Sequence, residues 1–293
     1  MVLVTGGRFS MGSAAFYPEE APVREVEVPS FQIDRAPVSN AAFARFVEET
    51  GHVTQAERPL PAEDYPHLEE IDRRAGSMLF ADSDAAGFDP DWRLWWQFCP
   101  GADWRHPAGP GSTIADKPDH PVVHVSWHDA VAFAQWAGKI LPSEAMWEYA
   151  ARGLSGRGRE YQWGDVLAPG GEVMANYWQG DFPAGGTDQG GWRTTSPAGA
   201  FPPSDLGLFD MIGNVWEWTS DLFAPDADKT DQGTCCGTAG ASASPRPDAE
   251  RVIKGGSYLC AESYCRRYRP AARQPHPASS SSCHIGFRCA VLA

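Results

Sequence analysis

The sequence predicts an α+β fold low in regular secondary structure, and three observations carry that expectation. Glycine and proline, which interrupt helices and strands, number 30 and 25 in 293 residues. Helical periodicity is confined to three short runs, and strand-like patterning to a few more. The 12 tryptophans demand packed surroundings with their N–H groups satisfied, so the irregular stretches are expected to be ordered loops. With 42% hydrophobic residues the chain can fill a large core, and residues 1–293 are read as a single domain near the upper size for one.

Residues 22–34 place Val23, Val26, Val28, Phe31 and Ile33 among charged neighbours, as a half-buried strand or hairpin arm does. Ser39 and Asn40 then precede Ala41, Phe43, Phe46 and Val47 on one helical face, and Gly51 follows as a stop, which predicts a helix over 40–50. From 55 to 120 neither period persists; Trp92, Trp95, Trp96, Phe98 and Trp104 mark this stretch as irregular but ordered. Two more helices are predicted, at 127–138 behind Ser126 with Asp129 three residues on, and at 144–152 between Ser143 and Gly153. Beyond Gly153 only short strands are expected, at 208–218, 250–258 and 285–292, with a small-residue loop at 237–247.

A net charge of −14 argues against a nucleic-acid partner, which calls for clustered Lys and Arg. No run approaches the roughly 18 apolar residues of a membrane helix, and no charged-then-apolar leader precedes Val2, so a cytoplasmic location is expected. Cysteines 99, 235, 236, 260, 265, 283 and 289 are odd in number and crowded toward the C-terminus, unlike a secreted disulfide ladder.

Several segments are specific. They include Val4-Thr5-Gly6-Gly7, the run from His120 to Trp127, the run from Leu141 to Gly153, Gly213-Asn214-Val215-Trp216-Glu217-Trp218-Thr219, Lys254-Gly255-Gly256-Ser257 and Gly286-Phe287-Arg288-Cys289. Together they resemble the sulfatase-modifying factor family, whose catalytic members are the formylglycine-generating enzymes, over nearly the whole chain. The resemblance implies the formylglycine-generating-enzyme fold, a C-type-lectin-like variant. That scaffold also serves non-catalytic and iron-dependent proteins, so the fold alone does not assign an activity.

The discriminating segment runs from Gly256 to Arg269 and contains Cys260 and Cys265. It is similar to the family's catalytic segment, in which two cysteines bind copper(I), and two soft thiolates are donors that select Cu(I) over hard cations. On spacing alone a reversible disulfide or two buried thiols remain open. The resemblance also places Ser257, Tyr264 and Trp216 in the active site: Ser257 to hydrogen-bond a bound oxygen species or substrate, Tyr264 to donate a proton or hold the substrate thiol, Trp216 to wall the pocket. Read as residues, Ser257 can equally satisfy a turn, and Trp216 and Tyr264 can be core. Arg288 is expected to hold the C-terminal strand through a buried carboxylate. His284 stands where the family usually has Asn.

The family also carries structural calcium. Asp210 and Glu217 with the carbonyls of Gly213 and Val215 match one site, whose mixture of carboxylates and carbonyls suits Ca²⁺. A second would use Asn176 with the carbonyls of Tyr177 and Trp192, but Gly190 stands where an acidic residue is expected, with Asp188 as a substitute. His124 and His128 have a zinc-like spacing, yet His124 precedes the cap Ser126 and so leaves the helical face. At positions where vertebrate-type members have further cysteines the chain has Ala134, Ala151 and Pro270, which leaves Cys289 without its usual partner.

The resemblance thus implies a copper-dependent oxidase that converts the Cys of a Cys-x-Pro-x-Arg segment in a sulfatase-type protein to formylglycine, using O₂ and a thiol reductant. Two other classes compete: a calcium-stabilised binding module without catalysis, and an iron-dependent sulfoxide synthase. The latter needs a histidine-rich triad and a helical bundle that the sequence lacks.

Overall fold

The computed structural model describes residues 1–63, 66–80, 95–154, 158–183, 192–224 and 249–293. Three α-helices and four small sheets lie among them. Strands β1 (Val2–Val4), β4 (Phe31–Ile33) and β11 (Ala290–Leu292) form one sheet with β4 in the middle, so both ends of the chain are tied to the same strand. Strands β2 (Gly7–Met11) and β3 (Arg24–Val28) pair antiparallel. The expected arm over 22–34 is therefore two strands, parted at Pro29, whose missing N–H ends the ladder.

All three helices follow from their caps. In α1 (Asn40–Thr50) the Ser39 hydroxyl accepts from the Ala42 N–H, and Gly51 closes the helix in the left-handed region. Helix α2 (Trp127–Trp136) opens with a complete Ser126–Asp129 capping box, and α3 (Glu144–Arg152) with Ser143 accepting from the Met146 N–H. Each such cap contributes about 1 kcal/mol. Helix α2 stops two residues short of the expected 138, because the Gly138 N–H turns to the Gln135 carbonyl. Phe43 of α1 and Phe133 of α2 meet Trp104 and Phe287 in a knot of edge and stacked contacts 5.2–6.4 Å apart that anchors the main core.

Five strands escape the sequence reading, β1, β2 and three more. Residues 76–80 (β5) and 96–100 (β6) pair antiparallel inside the stretch expected to be irregular. Arg273–Pro277 (β9) contains two prolines, which a strand tolerates at an edge, and β9 is the edge of the sheet ordered β10-β7-β8-β9. That sheet carries the site. Its members are β7 (Trp216–Leu222), β8 (Glu250–Lys254) and β10 (Ile285–Gly286), with β10 parallel to β7. The strands predicted at 208–218, 250–258 and 285–292 are thus shorter or shifted. Residues 210–215 form turns in which Asp210, Gly213 and Asn214 take positive φ, and 255–256 turn sharply at two positive-φ glycines. The loop predicted at 237–247, together with Cys235 and Cys236, lies outside the described residues.

Candidate active site

The 210–215 turn organises the site. Fully buried Asn214 donates its N–H to the Asn176 carbonyl (2.7 Å), accepts from the Tyr258 N–H (3.0 Å), and pairs its side chain with the Ser196 backbone in both directions (3.0 and 3.1 Å). At Gly213 a β-carbon would stand 2.5 Å from the Asn176 carbonyl oxygen, so only glycine allows this approach. The Gly213 N–H reaches the Gly255 carbonyl at 2.9 Å, and Gly256 passes so near the 267–268 backbone that a β-carbon would lie 2.7 Å from the Arg267 carbonyl oxygen. The segment leading to the cysteines is therefore pinned on both sides.

Two consecutive turns then bring the sulfurs together. The Cys260 N–H returns to the Ser257 carbonyl (2.9 Å) and the Cys265 N–H to the Ala261 carbonyl (2.8 Å). The Trp178 N–H fixes the Cys260 carbonyl from outside (3.0 Å). The Cys260 and Cys265 Sγ atoms end 3.5 Å apart as free thiols. A disulfide bond is about 2.05 Å, so no bond joins them. With metal–thiolate bonds of about 2.3 Å, as at zinc, both sulfurs can reach one ion. The donor set and the spacing fit copper(I).

Electrostatics makes the two thiols unequal. Burial pushes the Cys260 thiol well up, whereas Cys265 is held below the usual range by the hydrogen bond from Cys260 and then by Arg267, which outweigh its own burial. Cys265 is thus the more readily ionised of the two. The Ser257 N–H points at the Cys260 sulfur (3.4 Å), and the Ser257 hydroxyl accepts from the Leu259 N–H (3.2 Å). Ser257 therefore closes a turn and touches the site at once.

Tyr264, 54% exposed, stacks on Phe182 (5.0 Å, 15° between planes) and meets Trp95 edge-on at 5.2 Å. Its phenol is raised by burial of part of the ring and by neighbouring Cys265. Trp216 is buried at the start of β7, in the same core cluster as Cys260, with its backbone N–H on the His284 carbonyl (2.9 Å). The aromatic shelf of Phe80, Trp95, Trp178 and Phe182 beside Tyr264 was not anticipated, nor was Arg267. Three arginines within four residues of Cys265 in so acidic a chain were the available signal for the latter.

The carboxylate that holds Arg288 is Glu217, so two expectations fall on one residue. Both lie fully buried: Arg288 Nε and Nη2 donate to its two oxygens at 2.6 and 2.7 Å, and the Trp147 indole N–H donates at 2.8 Å. Asp210, in contrast, has its carboxyl pushed up to about 6 by burial, relieved in part by the Gly199 N–H and Arg288. A cation would relieve that burial further. As a calcium ligand set Asp210 fits and Glu217 is largely committed. At the second expected site the Asn176 amide N–H₂ donates to the Thr194 carbonyl (2.9 Å), which brings the chain after Trp192 beside Asn176. Gly190 and Asp188 lie outside the described residues. His124 is buried at positive φ with Nε2 on the Pro107 carbonyl (3.0 Å), away from the α2 face that carries His128.

A model of the sulfatase-modifying factor enzyme 1-like domain matches residues 1–293. The chain belongs to this family. It is 50% identical over 290 residues to the formylglycine-generating enzyme of Mycobacterium tuberculosis, covering 99% of this chain and 96% of the relative. It is also 39% identical over 305 residues to the mouse protein named inactive C-alpha-formylglycine-generating enzyme 2, covering 100% of this chain and 86% of that one. Among solved structures it is similar to PvdO from Pseudomonas aeruginosa, with a TM-score of 0.63, 22% identity, and coverage of 99% and 93%. That similarity supports the fold alone. Family membership thus admits active and inactive proteins, and the choice rests on the cysteine turn.

Proposed function

We propose that this chain is a formylglycine-generating enzyme that oxidises a cysteine of a sulfatase-type protein. The observation that carries the reading is the pair of free thiols 3.5 Å apart within the segment that resembles the family's catalytic one. A non-catalytic module has no use for two unequal thiols on a turn pinned by its own hydrogen bonds.

Cys260 and Cys265 would hold copper(I), which when bound supplies the electron-transfer chemistry with O₂ that removes hydrogen from the substrate Cβ. The chain's own residues prepare for that chemistry. The two turns fix both sulfurs before any ion arrives, so little ordering cost remains. Tyr264, at the exposed edge beside Cys265, is placed to hydrogen-bond an incoming thiol, and the Ser257 hydroxyl to hydrogen-bond a small oxygen species. Trp216 closes the buried side and keeps water from it. In the net reaction the substrate side chain becomes a thioaldehyde and hydrolyses to the aldehyde with loss of sulfide. O₂ is reduced to water, and an external thiol, oxidised to its disulfide, supplies the remaining electrons. A reducing, cytoplasmic setting suits this chemistry, which needs both cysteines as thiols.

The substrate is taken to be an extended Cys-x-Pro-x-Arg segment. Incubating such a peptide with the protein, copper(I), O₂ and thiol, and reading the product mass, tests the assignment. Aldehyde formation is expected; recovery of unchanged peptide from copper-loaded protein defeats it. Calcium is proposed at Asp210 with the Gly213 and Val215 carbonyls, Glu217 contributing a remaining lone pair, and more weakly near Asn176. A melting temperature that ignores both a calcium chelator and Asp210→Ala would remove it from the first site.

A further inference from the structure

A line of oxidisable rings leaves the cysteine turn. Tyr177 precedes Trp178, whose backbone N–H holds the Cys260 carbonyl at 3.0 Å, and the Tyr177 ring lies 4.8 Å from that of Tyr268. Tyr268 follows closely on Cys265 and stacks on Tyr161 at 6.2 Å. Tyr161 in turn stacks on Trp163 at 5.5 Å, with 9° between the planes. A bridge between Tyr161 and Gly164 folds the indole over the phenol, and the indole N–H donates to the Val166 carbonyl (2.9 Å). The three tyrosines are buried, whereas Trp163 is half-buried and meets solvent.

Packing alone asks for phenylalanine in the middle of this line. The Tyr268 hydroxyl is buried without a hydrogen-bond partner among the described residues, which costs about 1–3 kcal/mol. The arginines beside it in sequence are engaged elsewhere. Arg266 donates to Glu160 (3.0 Å) and the Tyr161 hydroxyl (3.1 Å), Arg267 pairs with Glu19 and donates to the Arg273 carbonyl (3.1 Å), and Arg269 takes buried Glu20 (2.8 and 2.5 Å). Burial pushes the Tyr268 phenol up, so it is neither acid nor base at neutral pH. What the hydroxyl confers is ease of oxidation, which a phenylalanine ring lacks, and a redox role is one of the few reasons to keep an orphaned buried group. Tyr264 offers a shorter outlet, but its ring neighbours are Phe182 and buried Trp95, and it stands where the substrate thiol is to enter.

We propose that Tyr177, Tyr268, Tyr161 and Trp163 form a relay that carries oxidising equivalents from the cysteine site to the surface when no substrate cysteine is in place. The inference rests on the copper reading above. A one-electron oxidant formed there from O₂ takes an electron from the nearest tyrosine, and the deficit passes outward until Trp163 is oxidised and its indole proton goes to water. An external thiol returns one electron and one proton to Trp163, and two thiols so oxidised join as a disulfide. Repeated, with protons drawn from solvent, the cycle reduces O₂ to water at the expense of thiol. It spares Cys260 and Cys265, which would otherwise climb irreversibly to sulfinic and sulfonic acids.

Mass-spectrometric mapping of the full chain, loaded with copper(I) and held under O₂ and thiol without peptide, tests the relay. Oxygen additions are expected to favour Trp163 severalfold over Trp192, although Trp192 is the more exposed at 38% and has His120 as its ring neighbour, off the line. Copper-free protein should show no such preference. Trp163→Phe closes the exit, so modification should retreat to Tyr161 and Tyr268, and the free thiols of Cys260 and Cys265 should disappear severalfold faster. Tyr268→Phe keeps the packing and removes the orphaned hydroxyl. Its melting temperature should be no lower than wild type, yet Trp163 oxidation should fall and thiol loss should rise, which a packing role cannot produce. Equal oxidation of Trp163 and Trp192, or a pattern centred on Tyr264 and Trp95, overturns the relay. So does a Tyr268→Phe protein whose map and thiol lifetime match wild type. If loaded wild type converts a Cys-x-Pro-x-Arg peptide yet shows no preference at Trp163, the relay alone falls. If it oxidises neither peptide nor itself, the copper reading falls with it.

Discussion

Beneath α3, Glu144, Glu148, Arg152, Lys254 and Arg273 are buried together, and each meets opposite charge. Glu148 takes Arg152 at 2.7 Å and Lys254 at 2.9 Å, while Glu144 takes Arg273 at 2.7 Å. A few residues beyond Lys254, Cys260 and Cys265 are also buried or nearly so, yet each sulfur's principal neighbour is the other. One region is finished by its own side chains; the other retains unused coordination capacity. The first lowers Glu148 through Lys254 and Arg152 against its burial, whereas the second leaves one thiol raised and the other lowered. A saturated network fixes the frame, and an unsaturated pair is what a ligand can complete.

The largest expected effect breaks the unsaturated side. Cys260→Ser or Cys265→Ser should cut turnover by at least about a hundredfold, beyond the usual loss for an outer-shell partner, with a melting temperature close to wild type. Near-normal turnover in either variant would discard the two-thiolate site. Breaking the saturated side should instead cost stability. Glu148→Gln leaves Arg152 and Lys254 facing each other, and Arg288→Met strands Glu217, so each should lose about 3–5 kcal/mol in denaturant unfolding. A loss under about 1 kcal/mol would show the network to be dispensable.

A third kind of burial sharpens the comparison. His124 is buried, its pKa lowered to about 4 by desolvation, which outweighs the Pro107 carbonyl and the pull of Asp103. The unfolded chain, with a pKa near 6.5, then binds the proton that the folded chain refuses. Stability from this residue is full above pH 6.5 and is lost as pH falls toward 4, by roughly 3 kcal/mol in all. Melting curves across that range should show the decline, and His124→Gln should flatten it. A decline of the same depth in the variant would assign it elsewhere. The smallest effect concerns the substrate: replacing its Arg by Ala should lower kcat/KM at least tenfold, about 1.4 kcal/mol. Competition between the two peptides in one tube measures this, and equal consumption would count against a groove that grips the segment remote from the reacting carbon.

The helices were legible because their signals are local. Ser39, Ser126 and Ser143 cap, Gly51 and Gly153 stop, and the apolar faces between them are spaced for packing. Strands β5 and β6 were not, since much of each is only partly buried and shows no alternation, and their pairing spans a long connection. Strand β9 was hidden by prolines that only an edge position excuses. At the site, Cys260, Cys265 and Ser257 could be named from the motif, and the structure brings them together. What the motif could not disclose was the partnership of residues far apart: that the carboxylate expected for Arg288 and the expected calcium ligand Glu217 are the same group.

The brace formed by residues 16–20 against 266–269 has a bearing on how the molecule is made. Arg269 meets Glu20 across 249 positions of sequence, and β11 completes a sheet begun by β1. During synthesis the 16–20 segment must wait for nearly the whole polypeptide to emerge before Arg269 and the cysteine turn can pack against it. Contacts of such sequence separation close slowly and leave apolar edges exposed meanwhile. A nascent chain arrested before Arg269 should therefore be open to protease throughout its N-terminal third, and the oxidase should switch on late and at once.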